Sequence, residues 1–213
     1  MKRNISQKLL AAVFLTLLMP ALVFARDIPP VVSTDWLSAN LKNPKLIVLD
    51  VRSVEDYREG HIPGAVNAFY RAWAYMKDGL FSSLPDKDDI DDTIGYFGIH
   101  FDNWVVVTGC MDTPRLSYQS ARVACTLQYA GIANVALLDG GMNKWVAEKK
   151  PLSTKIERRK AKPFLGKYVG EKFADADYIK NNMGKLILLD VREREFFTGE
   201  KKMDCVPLRG HIP

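Results

Sequence analysis

The stretch Lys45–Ala65 reads KLIVLDVRSVEDYREGHIPGA. Its opening, Leu46–Val51, is a run of apolar and β-branched residues broken by Asp50 alone. Such a run predicts a strand buried on both faces, as in a parallel sheet. Asp50 and Arg52 stand two residues apart at the carboxyl end of that strand, so a period of two puts them on one face. A charged pair there would hold the turn EGHIPG, Glu59–Gly64, against the sheet. On that reading Asp50 and Arg52 are architecture, and His61 anchors the turn.

The phrase is written twice. Lys185–Pro213 reads KLILLDVREREFFTGEKKMDCVPLRGHIP. Asp190 matches Asp50, Arg192 matches Arg52, Phe197 lies near the place of Tyr57, and His211 matches His61, with ten extra residues between Arg192 and His211. Upstream, Ser33–Asp50 is echoed by Ala174–Asp190. The offset of 140 residues between the two aspartates is that of a domain, not of a solenoid repeat. The expectation is one complete unit and the opening quarter of a second, with the chain a fragment. A half-made second unit would expose unpaired strand edge, so poor behaviour is expected beyond about Lys167.

Working outward, Ala65–Phe69 predicts a short strand behind the Pro63-Gly64 turn, and Asp88–Phe97 a helix stopped by Gly98. Trp104–Thr108 predicts a second buried strand. The loop GCMDTPRLS follows, then a helix to Ala130 with Gly131 as its stop. Asn134–Leu138 predicts a strand, Asp139–Gly141 a turn and Met142–Glu148 a closing helix. Strands alternating with helices imply a parallel sheet covered on both faces, with active groups beyond the carboxyl ends of its strands.

The chain has 213 residues, 47% of them apolar, and a formal charge of +5. Lys2, Arg3 and Lys8 precede the apolar run Leu9–Leu18, and Leu22–Ala25 supplies the small-residue end of an export signal. Removal of residues 1–25 takes away three basic and no acidic residues, leaving a charge of +2. Basicity is therefore no argument for a nucleic-acid partner. An uncleaved membrane anchor is the alternative, although Leu9–Ala25 is at the short limit for a span and Pro20 interrupts it. The organisation expected is a signal segment over 1–25, a first unit over 26–150, a basic linker over 151–170 and the start of a second unit over 171–213. The mature chain would be periplasmic or extracellular. Lys149–Lys167 carries eight Lys/Arg against Glu157 alone and reads as a solvated linker. His61, His100 and His211 are scattered without ligand spacing, so no metal is expected. No phosphate-binding or dinucleotide fingerprint appears.

LDVRSVEDYREGHIPGAVNA, then VVVTG, then LLDGGMNKWV (Leu137–Val146), resembles a rhodanese domain over roughly Val32–Leu152. Two copies joined by a linker resemble the tandem thiosulfate or 3-mercaptopyruvate sulfurtransferases. The resemblance implies a three-layer α/β fold with a five-stranded parallel sheet. It also implies transfer of sulfane sulfur, through a cysteine persulfide, from thiosulfate or a similar small sulfur anion to a thiol or cyanide. No cofactor is implied, since the persulfide itself carries the sulfur.

The candidate nucleophile is Cys110. It follows the strand Trp104–Thr108 after one glycine and precedes a helix for which Thr113 is the expected N-cap and Pro114 the first residue. A helix N-terminus favours an anionic sulfur. Arg115 would add a cation for the donor, whereas Arg122, two turns along, reads as structural. The family's cysteine usually occupies the first place of the loop, held here by Gly109, and in tandem members it generally sits in the second domain. Cys125, inside the helix, reads as an apolar packing residue, and Cys205 lies in the insertion of the second copy. A related phosphatase loop would need an arginine six residues after the cysteine, where Leu116 stands. The other reading is a non-catalytic rhodanese-like scaffold or binding domain.

Overall fold

The structure, a computed structural model, describes residues 26–77, 79–202, 206 and 208–212. The expected export segment 1–25 and Cys205 lie outside the described residues, as do the side chains of Leu80, Phe81, Pro114, Arg115 and Glu171. Five strands make one sheet: β1 (Val31–Val32), β2 (Leu46–Asp50), β3 (Val66–Asn67), β6 (Trp104–Thr108) and β7 (Val135–Leu138). Their order is β1-β7-β6-β2-β3, and every junction is parallel. A separate antiparallel hairpin, β4 (Tyr75–Lys77) with β5 (Leu80–Ser83), follows β3. Nothing in the sequence pattern had marked that hairpin or the two-residue edge strand β1.

Helices cover both faces of the sheet. They are α1 (Thr34–Asn40), α2 (Val54–Glu59), α3 (Lys87–Tyr96), α4 (Pro114–Tyr129) and α5 (Gly141–Ala147). Alternation along the strands sorts the core into two layers. Ile47, Leu49, Val105 and Val107 meet Ile90 and Ile94 of α3 and Val123 and Leu127 of α4. Leu46, Val48, Val106, Ala136 and Leu138 meet Leu37 of α1 and Met142 and Trp145 of α5. Each fully buried side chain of this kind contributes about 1.5–3 kcal/mol.

Helix period also corrects one expectation. Val123, Ala124 and Leu127 turn to the sheet, while Cys125 lies about 200° around the helix from Val123 and is exposed. Cys125 is therefore a surface thiol, not a packing residue.

The basic segment after α5 does run over the surface, but its main chain is anchored along the way. His61 and Ser153 exchange two backbone hydrogen bonds, 2.9 and 2.8 Å, and the indole of Trp145 donates to Pro151 O at 2.8 Å. Further on, Lys162 N donates to Gly95 O, Lys167 N to Ala130 O and Val169 N to Tyr129 O, at 2.8–2.9 Å. The helix-stop glycines make room for this strap. A Cβ on Gly98 (φ +62°) would stand 2.4 Å from Lys160 O, and one on Gly131 (φ +96°) 2.6 Å from Lys167 O. By hydrogen exchange the amides of Ser153, Lys162, Lys167 and Val169 are expected to be protected well above those of residues 186–191. Equal exchange in the two groups would show that the strap is not held.

The second copy behaves differently from the first. α6 (Ala176–Asn181) and α7 (Arg194–Thr198) form, each with no buried residue. Leu186–Asp190, the counterpart of β2, forms no strand, and Ile187, Leu189 and Val191 are 89%, 81% and 93% exposed.

Candidate active site at the carboxyl edge of the sheet

Strand register brings the singled-out residues of the first copy to one edge. Asp50 pairs with Thr108 on one side and Asn67 on the other, so β2, β3 and β6 end level. Just beyond lie Arg52 and Cys110. The Arg52 guanidinium binds Asp50 through Nε to both carboxylate oxygens (3.0 and 3.1 Å) and through Nη2 to Oδ2 at 2.6 Å. The same Nη2 donates to Gly60 O at 2.7 Å, which ties the EGHIPG turn to the end of β2. The Asp50 side chain is wholly buried and that of Arg52 nearly so.

His61 is fully buried and stacks on Tyr57, ring centroids 3.7 Å apart. Its Nδ1 faces Tyr57 O at 2.7 Å and its Nε2 faces Lys155 O at 3.0 Å. Each ring nitrogen is thus engaged by main chain, the geometry of an anchor for both the turn and the strap. The Tyr57 hydroxyl completes the latch by donating to Ala65 O at 2.7 Å.

The second copy repeats this latch in the open. Arg192 binds Asp190 with the same atoms at 2.5–3.0 Å and reaches Gly210 O at 2.9 Å. His211 stacks on Phe197 at 3.9 Å and faces Phe197 O at 2.8 Å. The hydrogen bonds from Arg192 hold the Asp190 carboxyl down at about 2. Phe197 therefore takes the place of Tyr57, as the alignment of the two copies anticipated.

Cys110 sits in the loop between β6 and α4, half-buried and unpaired. Thr113 caps the helix, its Oγ1 accepting from Leu116 N at 3.2 Å, and Pro114 is the first helical residue. Arg115 is the second residue of the helix, and its side chain is outside the described part of the structure. Arg122 is structural: it donates to Ser82 O at 3.0 Å and lies 5.5 Å from the Phe173 ring.

Two residues that the sequence did not single out hold the loop. Asn143 of α5 accepts from Met111 N at 2.8 Å and donates through Nδ2 to Asp112. Gly141 (φ +55°) lies against the loop so closely that a Cβ would stand 2.4 Å from Gly109 O, the acceptor of Met142 N at 3.0 Å. Both belong to the GGMNKW phrase, whose glycine pair was legible as a turn. What the turn packs against was not. Beneath the loop, the hydroxyls of Thr108 and Ser120 are buried without a hydrogen-bond partner.

Burial pushes the Cys110 thiol up; the Arg52 guanidinium pulls it down, and the carboxylates of Asp112, Asp56 and Asp50 push it up again. The neutral thiol is thereby favoured at neutral pH. Alkylation at Cys110, followed by peptide mass mapping, is expected to accelerate about tenfold per pH unit from pH 7 to 9. A plateau reached below pH 8 would overturn this account of the site.

The family profile of the rhodanese-like domain matches residues 33–148. The chain belongs to the rhodanese-like domain family. Among similar proteins, a thiosulfate sulfurtransferase of Azotobacter vinelandii is 28% identical over 189 residues, covering 88% of this chain and 68% of that protein. The sulfur carrier protein TtuD of Thermus thermophilus is 30% identical over 195 residues, covering 85% and 66%. The chain spans 60% to 66% of the length of the first curated relatives it matches. Among solved structures, Tum1 of Saccharomyces cerevisiae superposes with a TM-score of 0.70 at 18% identity, covering 87% of this chain and 69% of that one. SseA of Escherichia coli, described as a 3-mercaptopyruvate sulfotransferase, does so with 0.61 at 20% identity, covering 73% and 62%. These likenesses bear out the five-stranded parallel α/β fold.

Proposed function

We propose that this protein takes part in sulfane-sulfur transfer and that Cys110 is the thiol that accepts the sulfur. The observation that carries the reading is the position of Cys110, half-buried just past the end of the central strand and ahead of a capped helix, within range of the Arg52 charge. The Cys110 thiolate attacks the sulfane sulfur of thiosulfate. The sulfur–sulfur bond of the donor breaks and sulfite leaves with the electron pair. An acceptor such as cyanide or a thiolate then takes the outer sulfur and restores the thiolate. The sequence of residues 1–25 supports export as the setting of this chemistry.

A second reading is favoured by the raised Cys110 thiol. On it the domain over about 26–150 is a scaffold or binding module and carries no sulfur itself. Intact mass after incubation with thiosulfate separates the two, with Cys110→Ser as the comparison. Gain of one sulfur atom, reversed by cyanide and absent from the variant, is the result expected of the first reading. No gain in folded protein would leave the scaffold.

A further inference from the structure

Away from the sulfur site, a cavity of about 490 Å³ opens between α2, the edge strand β3, the end of α3 and the strap. That volume falls in the range of small-molecule sites. Three arginines line it: Arg58 from α2, and Arg158 and Arg159 from the strap. None of the three has an ion-pair or hydrogen-bond partner among the described residues, in contrast to the fully paired Arg52 and Arg192. The one carboxylate in the lining, Glu157, is already held by Lys155 at 2.8 Å. Like charges gathered round a concavity without counterions repel one another, and an anion placed among them relieves that repulsion.

The remaining wall sets the shape of the guest. Tyr96 is 68% exposed and meets Phe97 edge-on at 5.2 Å, leaving an aromatic surface beside the cavity. The strap is tied on either side of its arginines, by Glu157 N to the Tyr57 hydroxyl at 3.3 Å and by Lys162 N to Gly95 O at 2.9 Å. The main chain that carries its two arginines is therefore held beside the cavity, and the side chains of Arg58, Arg158 and Arg159 are exposed to solvent. A carboxylate satisfies one guanidinium fork; a phosphate, with three outer oxygens and nearly two charges, satisfies several.

The geometry points to a binding site for an aromatic monophosphate of nucleotide size, its phosphate among Arg58, Arg158 and Arg159 and its ring against Tyr96. Occupancy would also fasten the strap to the domain, since two of the three phosphate ligands belong to it. Cys110 does not line this cavity.

Calorimetric titration of the full chain with adenosine 5′-monophosphate tests this, with adenosine and inorganic phosphate as separate arms. The nucleotide is expected to bind at least about tenfold more tightly than either part, and the double variant Arg158→Gln/Arg159→Gln to lose about tenfold or more. Arg58→Gln, on the opposite wall, is expected to weaken binding in the same direction while leaving the strap chemistry unchanged. No binding at millimolar nucleotide, or equal binding by wild type and both variants, would overturn the proposal. Equal affinity for inorganic phosphate and the nucleotide would overturn the aromatic half of it and with it the assigned ligand class.

Discussion

Replacing Asp50 by alanine is expected to destabilise the protein by about 3–5 kcal/mol, the cost of stranding one member of a buried ion pair. The Asp50 side chain is wholly buried at the end of β2, and the Arg52 side chain is 11% exposed. Without the carboxylate, the Arg52 guanidinium keeps only Gly60 O as a hydrogen-bond partner among the described residues and stays out of water. The turn Glu59–Gly64 then loses its tie to the sheet. His61 goes with it, and with His61 the first attachment of the strap at Ser153 and Lys155. Urea unfolding followed by tryptophan fluorescence measures the loss, and Asp190→Ala is the control, since its identical latch is exposed and the midpoint is expected to stay in place. A loss below about 1 kcal/mol at Asp50 would show that the turn is held without the pair.

Replacing Gly141 by valine is expected to cost about 2–6 kcal/mol, from strain at a backbone conformation that β-branched residues avoid and from overpacking against main chain. Gly141 has φ +55°, and the nearest atom to its missing Cβ, Gly109 O at 2.4 Å, cannot swing aside as a flexible side chain would. That carbonyl belongs to the residue before Cys110 and accepts from Met142 N, so relief of the clash must move the loop. The variant should therefore alter the rate and pH profile of Cys110 alkylation even where the fold survives. Unfolding at the wild-type midpoint with an unchanged alkylation profile would show that the glycine is not what sets the loop against α5. Asn143→Ala, which removes only the acceptor of Met111 N, isolates the loop from the backbone strain.

The strands and helices around the sheet were legible because their signals are periodic and local. Leu46–Leu49 and Trp104–Val107 are apolar throughout, as strands buried on two faces must be, and Thr113-Pro114 announces the helix that follows the loop. The site was less legible because its parts meet across large separations. Asn143 supports Met111 from 32 residues away, and nothing near Asn143 in sequence says so. Cys125 was misread because a cysteine in an amphipathic helix carries no mark of which face it takes. Only the packing of Val123 and Leu127 against the sheet decides that.

The two copies of one phrase divide what sequence settles from what tertiary structure settles. Asp50-Arg52-Gly60-His61 and Asp190-Arg192-Gly210-His211 share the hydrogen bonds of arginine to aspartate and to the glycine carbonyl, one set buried and one more exposed. The tie of arginine to aspartate and glycine is determined by its own residues, because its donors and acceptors lie within one stretch of chain, whereas His61 Nε2 also draws on Lys155 O, 94 residues away. KLIVLD and KLILLD, almost identical in sequence, do not share a structure. The first is a central strand whose amides and carbonyls pair with β6 and β3; the second, among the described residues, forms no strand. A parallel strand draws its hydrogen bonds and its burial from segments far along the chain, so its sequence permits it and only its neighbours make it.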